Sequence, residues 1–132
     1  MLGELIGETK GKRIVRRVIA TEPPTVEVTF EDSGTTHGIP CTGMGTYTSV
    51  IHPDGSITGE AHGITMTADG DTATWTATGI GKFVGGGAVS YRGMIFNRNA
   101  TGKLAPFNNS CSAFEYESSA TGETSAKMWE WK

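Results

Sequence analysis

From Gly11 onward, hydrophobic and polar positions alternate in short runs cut by turn residues at nearly even intervals, and no run keeps a 3.6-residue period long enough for a secure helix. Val26, Val28 and Phe30 share one face while Thr25, Glu27, Thr29 and Glu31 share the other, the pattern of a half-buried strand. Thr72, Thr74, Thr76 and Thr78 alternate in the same way with Ala73, Trp75 and Ala77, which predicts a wet threonine face and a dry face carrying Trp75. Eight strands are expected. They cover about Lys12 to Ala20, the Val26 segment, His37 to Ile51, Ser56 to Thr67, the threonine segment from Thr72, Ala88 to Asn97, Ser112 to Glu117, and Thr124 to Trp131. Glu22-Pro23-Pro24 ends the first strand because proline has no N–H to give a ladder. The stretch from Gly79 to Gly87 reads as a flexible hairpin connection, and the one from Asn99 to Lys103 as a turn followed by a weak segment.

His52-Pro53-Asp54-Gly55 and Ala68-Asp69-Gly70-Asp71 are tight-turn signals, so successive strands are neighbours and the topology is an up-and-down meander. Eight such strands remove their free edges by closing. The expected fold is therefore all-β: a single domain over residues 1–132, an eight-stranded antiparallel up-and-down barrel with little or no helix, with an open sandwich as the competitor. Such a barrel has room for packed side chains or for one small ligand. Glycines inside strands, among them Gly43, Gly45, Gly59, Gly63 and Gly93, fit strong coiling and close backbone approach.

Composition supports this picture. Glycine and threonine each number 19 of 132 residues, a bias toward tight turns and strands rather than helices. The net charge is −3, and five of the eleven basic residues crowd into Lys10, Lys12, Arg13, Arg16 and Arg17. No aromatic residue is interleaved with them, which argues against nucleic-acid binding. The simpler reading is a strand whose charges face water and pair with Glu27, Glu31 and Asp32 on the next one. The chain start lacks the positive and apolar regions of a signal peptide, and no apolar run approaches the ~18 residues of a membrane span, so a cytoplasmic location off the membrane is expected. Cys41 and Cys111 are too few for a disulfide framework and are expected as free thiols.

The runs Gly43-Met44-Gly45-Thr46-Tyr47, Gly59-Glu60-Ala61-His62-Gly63, Gly81-Lys82-Phe83, Tyr91-Arg92-Gly93 and Lys127-Met128-Trp129-Glu130-Trp131 resemble a set of uncharacterised microbial domains of about this length. The resemblance spans nearly the whole chain and implies a barrel like that of allene oxide cyclase, akin to the calycins. Its motifs are glycines and aromatics, so it implies a fold and carries over no site residue. Barrels of this kind often associate as dimers or trimers, which suits the apolar residues on both faces of the segment from Ala88 to Asn97.

Glu60 and His62 stand two apart on one strand and so share a face with Ile64 and Met66. If that face is inward, a carboxylate and an imidazole meet in an apolar cavity where desolvation moves both toward acid–base work. If it is outward, the core face is Ile57, Gly59, Ala61 and Gly63, and the pair is solvated. Tyr47 and Tyr91 are candidate cavity donors. Arg92, adjacent to Tyr91, must point the other way and is expected in a surface ion pair. Trp75, Trp129 and Trp131 are aromatic candidates for a ligand platform or for the core. His37, Cys41, His52 and His62 show no zinc spacing, so no metal is expected, and the glycine-rich segment does not fit a phosphate cradle, so no cofactor is expected either.

The leading expectation is a barrel that binds a small apolar or amphiphilic molecule through Tyr47, Glu60, His62, Trp75 and Tyr91. The alternatives are an isomerase or cyclase with Glu60 and His62 as acid and base, and a non-catalytic homo-oligomeric assembly module with a solid interior. A cavity above ~300 Å³ with Glu60 inside favours the first two.

Overall fold

The computed structural model describes residues 2–131. Eight antiparallel strands run in chain order: β1 (Leu2–Thr21), β2 (Pro24–Thr36), β3 (Ile39–Ile51), β4 (Ser56–Thr67), β5 (Thr72–Gly85), β6 (Ala88–Arg98), β7 (Cys111–Ser118) and β8 (Glu123–Trp131). Each pairs with its successor, and β8 returns to β1, closing the barrel. A 3-10 helix, Gly102–Phe107, lies between β6 and β7. No helix among the described residues is long and apolar enough to cross a membrane.

Two segments differ from the sequence expectation. β1 begins at Leu2 rather than near Lys12, and the stretch from Leu2 to Lys12 is the one that pairs with β8. Irregularities in that pairing between Leu2 and Leu5 and between Leu5 and Gly7 break the period-two alternation that betrays a strand. Residues 79–85, expected as a flexible connection, belong to β5, and Gly79 and Gly81 pair with Gly93 and Tyr91 of β6. The turn itself is confined to Gly86 and Gly87, which have positive φ, as does Gly85 at the end of β5.

The interior is made of rings that rest on glycines. Gly45 of β3 and Gly63 of β4 are cross-strand partners, and the Trp75 indole covers both; a Cβ on Gly45 would stand 2.9 Å from two of its carbons. The Tyr91 ring lies over Gly59 and Gly81, and a Cβ on those would stand 3.2 Å and 2.8 Å from it. Phe114 occupies the hollow over Gly79 and Gly93 in the same manner. An eight-stranded interior is narrow, so flat rings fit only where the facing wall has no side chain. The glycines therefore set the bore of the barrel, and the aromatics fill it.

At the end bounded by the β1–β2, β3–β4, β5–β6 and β7–β8 hairpins, Val28, Phe30, Tyr47, Ile57, Tyr91 and Tyr116 form the main core cluster. At the opposite end, Leu104 of the 3-10 helix packs with Ala73 and Ala100, and Ile39 and Phe107 lie against them. The helix is tied down by polar contacts. Asn108 accepts from the Ala100 N–H at 2.8 Å and donates to the Ala100 carbonyl at 3.0 Å, while the Thr101 N–H donates to the Thr72 carbonyl at 2.9 Å. Among the described residues, Ile57 and Leu104 are the two large side chains almost wholly removed from water, each stabilising by about 1.5–3 kcal/mol on an area basis.

Candidate functional site

The eight strands enclose a cavity of about 140 Å³. It is bordered by Phe30, Tyr47, Trp75, Tyr91 and Tyr116 toward the hairpin end and by His37, Leu104 and Phe107 toward the helix end. That is less than half of the ~300 Å³ at which drug-sized pockets begin. It matches the scale at which an apolar protein cavity accepts a molecule of benzene's size.

Of the residues singled out from the sequence, Tyr47, Trp75 and Tyr91 meet at this cavity. Glu60 and His62 do not. Both are exposed on the outer surface, because β4 turns Ile57, Gly59, Ala61 and Gly63 inward. The register explains the choice: Ala61 pairs with Tyr47 and Gly63 with Trp75, so the face that shares a side with those rings is the one without Glu60 and His62. Arg92 makes the expected surface ion pair, 3.6 Å from Glu115, and Arg17 meets Glu27 at 3.1 Å across β1 and β2. Trp131 is exposed and Trp129 half-buried; neither borders the cavity. Cys41 and Cys111 are free thiols.

The three tyrosines form one cluster. Ring centroids of Tyr47 and Tyr116 are 5.5 Å apart, those of Tyr47 and Tyr91 5.9 Å, and Phe30 sits 5.6 Å from Tyr116. The first two contacts are edge-to-face, the arrangement that ring quadrupoles favour. The Tyr116 hydroxyl donates to that of Tyr47 at 3.5 Å, and Tyr91 is hydrogen-bonded to Ser49. Burial pushes the Tyr91 hydroxyl up to about 12, against the opposing hydrogen bond from Ser49. Tyr47 and Tyr116 are also raised, first by burial, and in Tyr116 further by the proximity of Tyr47 and Asp32. All three stay protonated at neutral pH. They present neutral hydroxyls to the cavity rather than phenolate charge.

Asp32 is the residue that sequence reasoning placed wrongly. Expected as a surface partner for the basic cluster, it lies on the inner face of β2 and borders the cavity. In register it stands between two glycines, Gly11 of β1 and Gly43 of β3. A Cβ on Gly43 would come within 2.7 Å of the Asp32 Oδ1, so the missing side chain makes the space that the carboxyl occupies. Burial raises its pKa above the ordinary 3.8, and the Thr9 hydroxyl pulls it partly back. The signal was present in the chain: Asp32 follows Phe30 by two positions and therefore shares its face.

At the helix end, His37 has φ of 52° and stacks on Phe107, with ring centroids 3.5 Å apart and planes within 5°. Burial lowers its pKa from 6.5 and the nearby Glu130 opposes that shift.

Among solved structures, the chain is similar to a protein of unknown function from Clostridium acetobutylicum ATCC 824, with a TM-score of 0.81 at 11% identity over 98% of both chains. It is also similar to a conserved protein of unknown function from Rhodopseudomonas palustris, with a TM-score of 0.78 at 11% identity over 98% of this chain and 97% of that one. At such identity the likeness establishes the barrel fold alone. No protein-family model and no curated protein matches the chain.

Proposed function

We propose that this barrel binds one small apolar or amphiphilic molecule in its interior. The observation that carries the reading is the cavity of about 140 Å³, walled by Phe30, Tyr47, Trp75, Tyr91 and Tyr116 and supplied with a few hydroxyl donors and one carboxyl. Apolar walls with sparse, well-placed polar groups are the usual make-up of a small-molecule site. The volume restricts the guest to a handful of heavy atoms, about the size of benzene. The affiliation with allene oxide cyclase-like and calycin-like barrels, which also enclose an interior, is consistent with this reading and belongs to the same proposal. Acid–base chemistry through Glu60 and His62 is not part of it, since both side chains point away from the cavity.

Benzene is a suitable probe. On its addition, the side-chain resonances of Trp75, Ala77 and Ile95 are expected to shift in saturable fashion, and the melting temperature to rise as the folded state is populated by mass action. Resonances that stay put at saturating benzene would dismiss the reading.

A second reading, assembly into a homo-oligomer, draws on the outer wall. Met44 and Ile64 are cross-strand partners there, and Phe96 and Met66 are exposed like them. Light scattering at micromolar concentration tests it: a mass of 13.9 kDa would mean a monomer and end that reading.

A further inference from the structure

Asp32 differs from every other acidic residue discussed above, because its half-buried carboxyl faces the barrel interior and borders the cavity. Among the described residues the ion pairs are Arg17 with Glu27, Arg92 with Glu115 and Lys103 with Asp69; none reaches Asp32. The one cation at an inner position of a flanking strand among the described residues, Arg13 of β1, is the partner of Phe30, and its guanidinium lies against Gly122 at the hairpin end rather than beside Asp32. Across from it are Gly11 and Gly43, with Thr9 as its hydrogen-bonding neighbour. Arg13 acts on Tyr47 and Tyr116, and Arg16 on Tyr47.

A carboxylate removed from water without a partner is costly, and the cost is relieved either by a proton or by a cation brought in from outside. The rest of the cavity favours the cation. Phe30, Tyr47, Trp75 and Tyr116 border the same space as the carboxyl, and the electron-rich faces of such rings attract ammonium groups. An anionic guest would meet Asp32 as a like charge in a poorly solvated site, which the same physics penalises.

We propose that the cavity is a site for a small organic ammonium ion, with Asp32 as its counter-charge and the surrounding aromatic rings as the wall for its apolar body. This deepens the reading of the barrel as a small-molecule binder and rests on it. The cavity volume admits an amine of about five or six heavy atoms, and Gly43 beside Asp32 leaves the space in which the carboxyl lies.

The test compares three probes of equal chain length, n-butylammonium, 1-butanol and butyrate, by chemical-shift titration of the wild-type protein and of Asp32→Asn at pH 7. The expected order in the wild type is butylammonium first, tighter than butanol by about tenfold or more, with butyrate weakest. In Asp32→Asn the advantage of butylammonium over butanol is expected to vanish while butanol affinity is kept. The ranking in the wild type stands on its own if the variant does not fold. Butanol binding as tightly as butylammonium, or a preference that survives in Asp32→Asn, would overturn the ammonium site and leave the apolar cavity standing. Absence of binding by all three probes, with benzene also silent, would remove both.

Discussion

At the hairpin end of the barrel, the interior is filled by residues of the strands themselves: Phe30, Tyr47, Tyr91 and Tyr116 interlock and their hydroxyls find one another or Ser49. At the end where the chain begins and finishes, the strands contribute smaller and more polar inner groups, such as Thr36, Cys41, Asn97 and Ser112, and a separate piece of chain, the 3-10 helix, brings in Leu104 and Phe107. The first end is sealed by cross-strand packing that exists as soon as the barrel closes. The second depends on one buried leucine and on a short polar network through Asn108, Thr101 and Thr72. The contrast separates what the sheet can do alone from what a loop must add, and Asp32 sits on the strands between the two regimes.

Leu104→Ala should sharpen this contrast most. It removes the side chain that plugs the helix end, with an expected loss of about 2–5 kcal/mol, measured by urea unfolding. Amide exchange should accelerate around Ala73 and Ala100 while Tyr47 and Tyr116 stay protected. Equal loss of protection at both ends would break the comparison. Gly45→Ala comes next, because its Cβ would crowd the rings of Phe30 and Trp75 at 2.8–2.9 Å; overpacking of this kind costs about 1–3 kcal/mol. Tyr116→Phe at the hairpin end should cost only about 1 kcal/mol, the worth of one hydroxyl contact. A larger cost than that of Leu104→Ala would reverse the ranking of the two ends.

Asp32→Asn tests the region between them through pH. The folded-state pKa of Asp32 is raised, so above 3.8 the folded chain keeps a proton that the unfolded chain has lost. Wild-type stability therefore declines as pH rises from about 3.8 through the raised value and then levels off. The neighbouring Tyr47 and Tyr116, both raised above the ordinary tyrosine value, stay protonated across this window and do not mask the effect. His37 has the opposite sign, its contribution being lost as pH falls below 6.5. It cancels when the variant is compared with wild type at each pH. Denaturation from pH 3.5 to 7 should show the wild type losing ground to Asp32→Asn as pH rises, and parallel curves would contradict the buried carboxyl. The smallest effect belongs to Glu60→Gln with His62→Gln on the outer wall, where surface substitutions change stability by less than about 0.5 kcal/mol and probe binding should be unaltered.

Much of this was legible in the chain. Alternation along β2, β3, β5 and β6 and the turn residues between them are local properties, and they predicted the closed meander correctly. Asp32 was legible too, through its parity with Phe30, but its acidic character and the nearby basic cluster drew it toward the surface in the sequence reading. The first half of β1 was hidden by irregular pairing, and residues 79–85 by glycines that mark close packing rather than slack. Both failures concern positions whose meaning depends on the strand alongside.

The sequence by itself determined that strands form, where most of them turn, and that they follow one another into a meander, because those outcomes rest on the side-chain period of two and on turn chemistry within a few residues. Tertiary structure decided which face of β4 is inside, how much space is left at the centre and what the 3-10 helix covers. The faces of β4 carry mixed signals, Ile64 and Met66 on one and Ile57 and Ala61 on the other. Only pairing with Tyr47 and Trp75 on the neighbouring strands breaks the tie, since two bulky rings and the side chains beside them must share one interior.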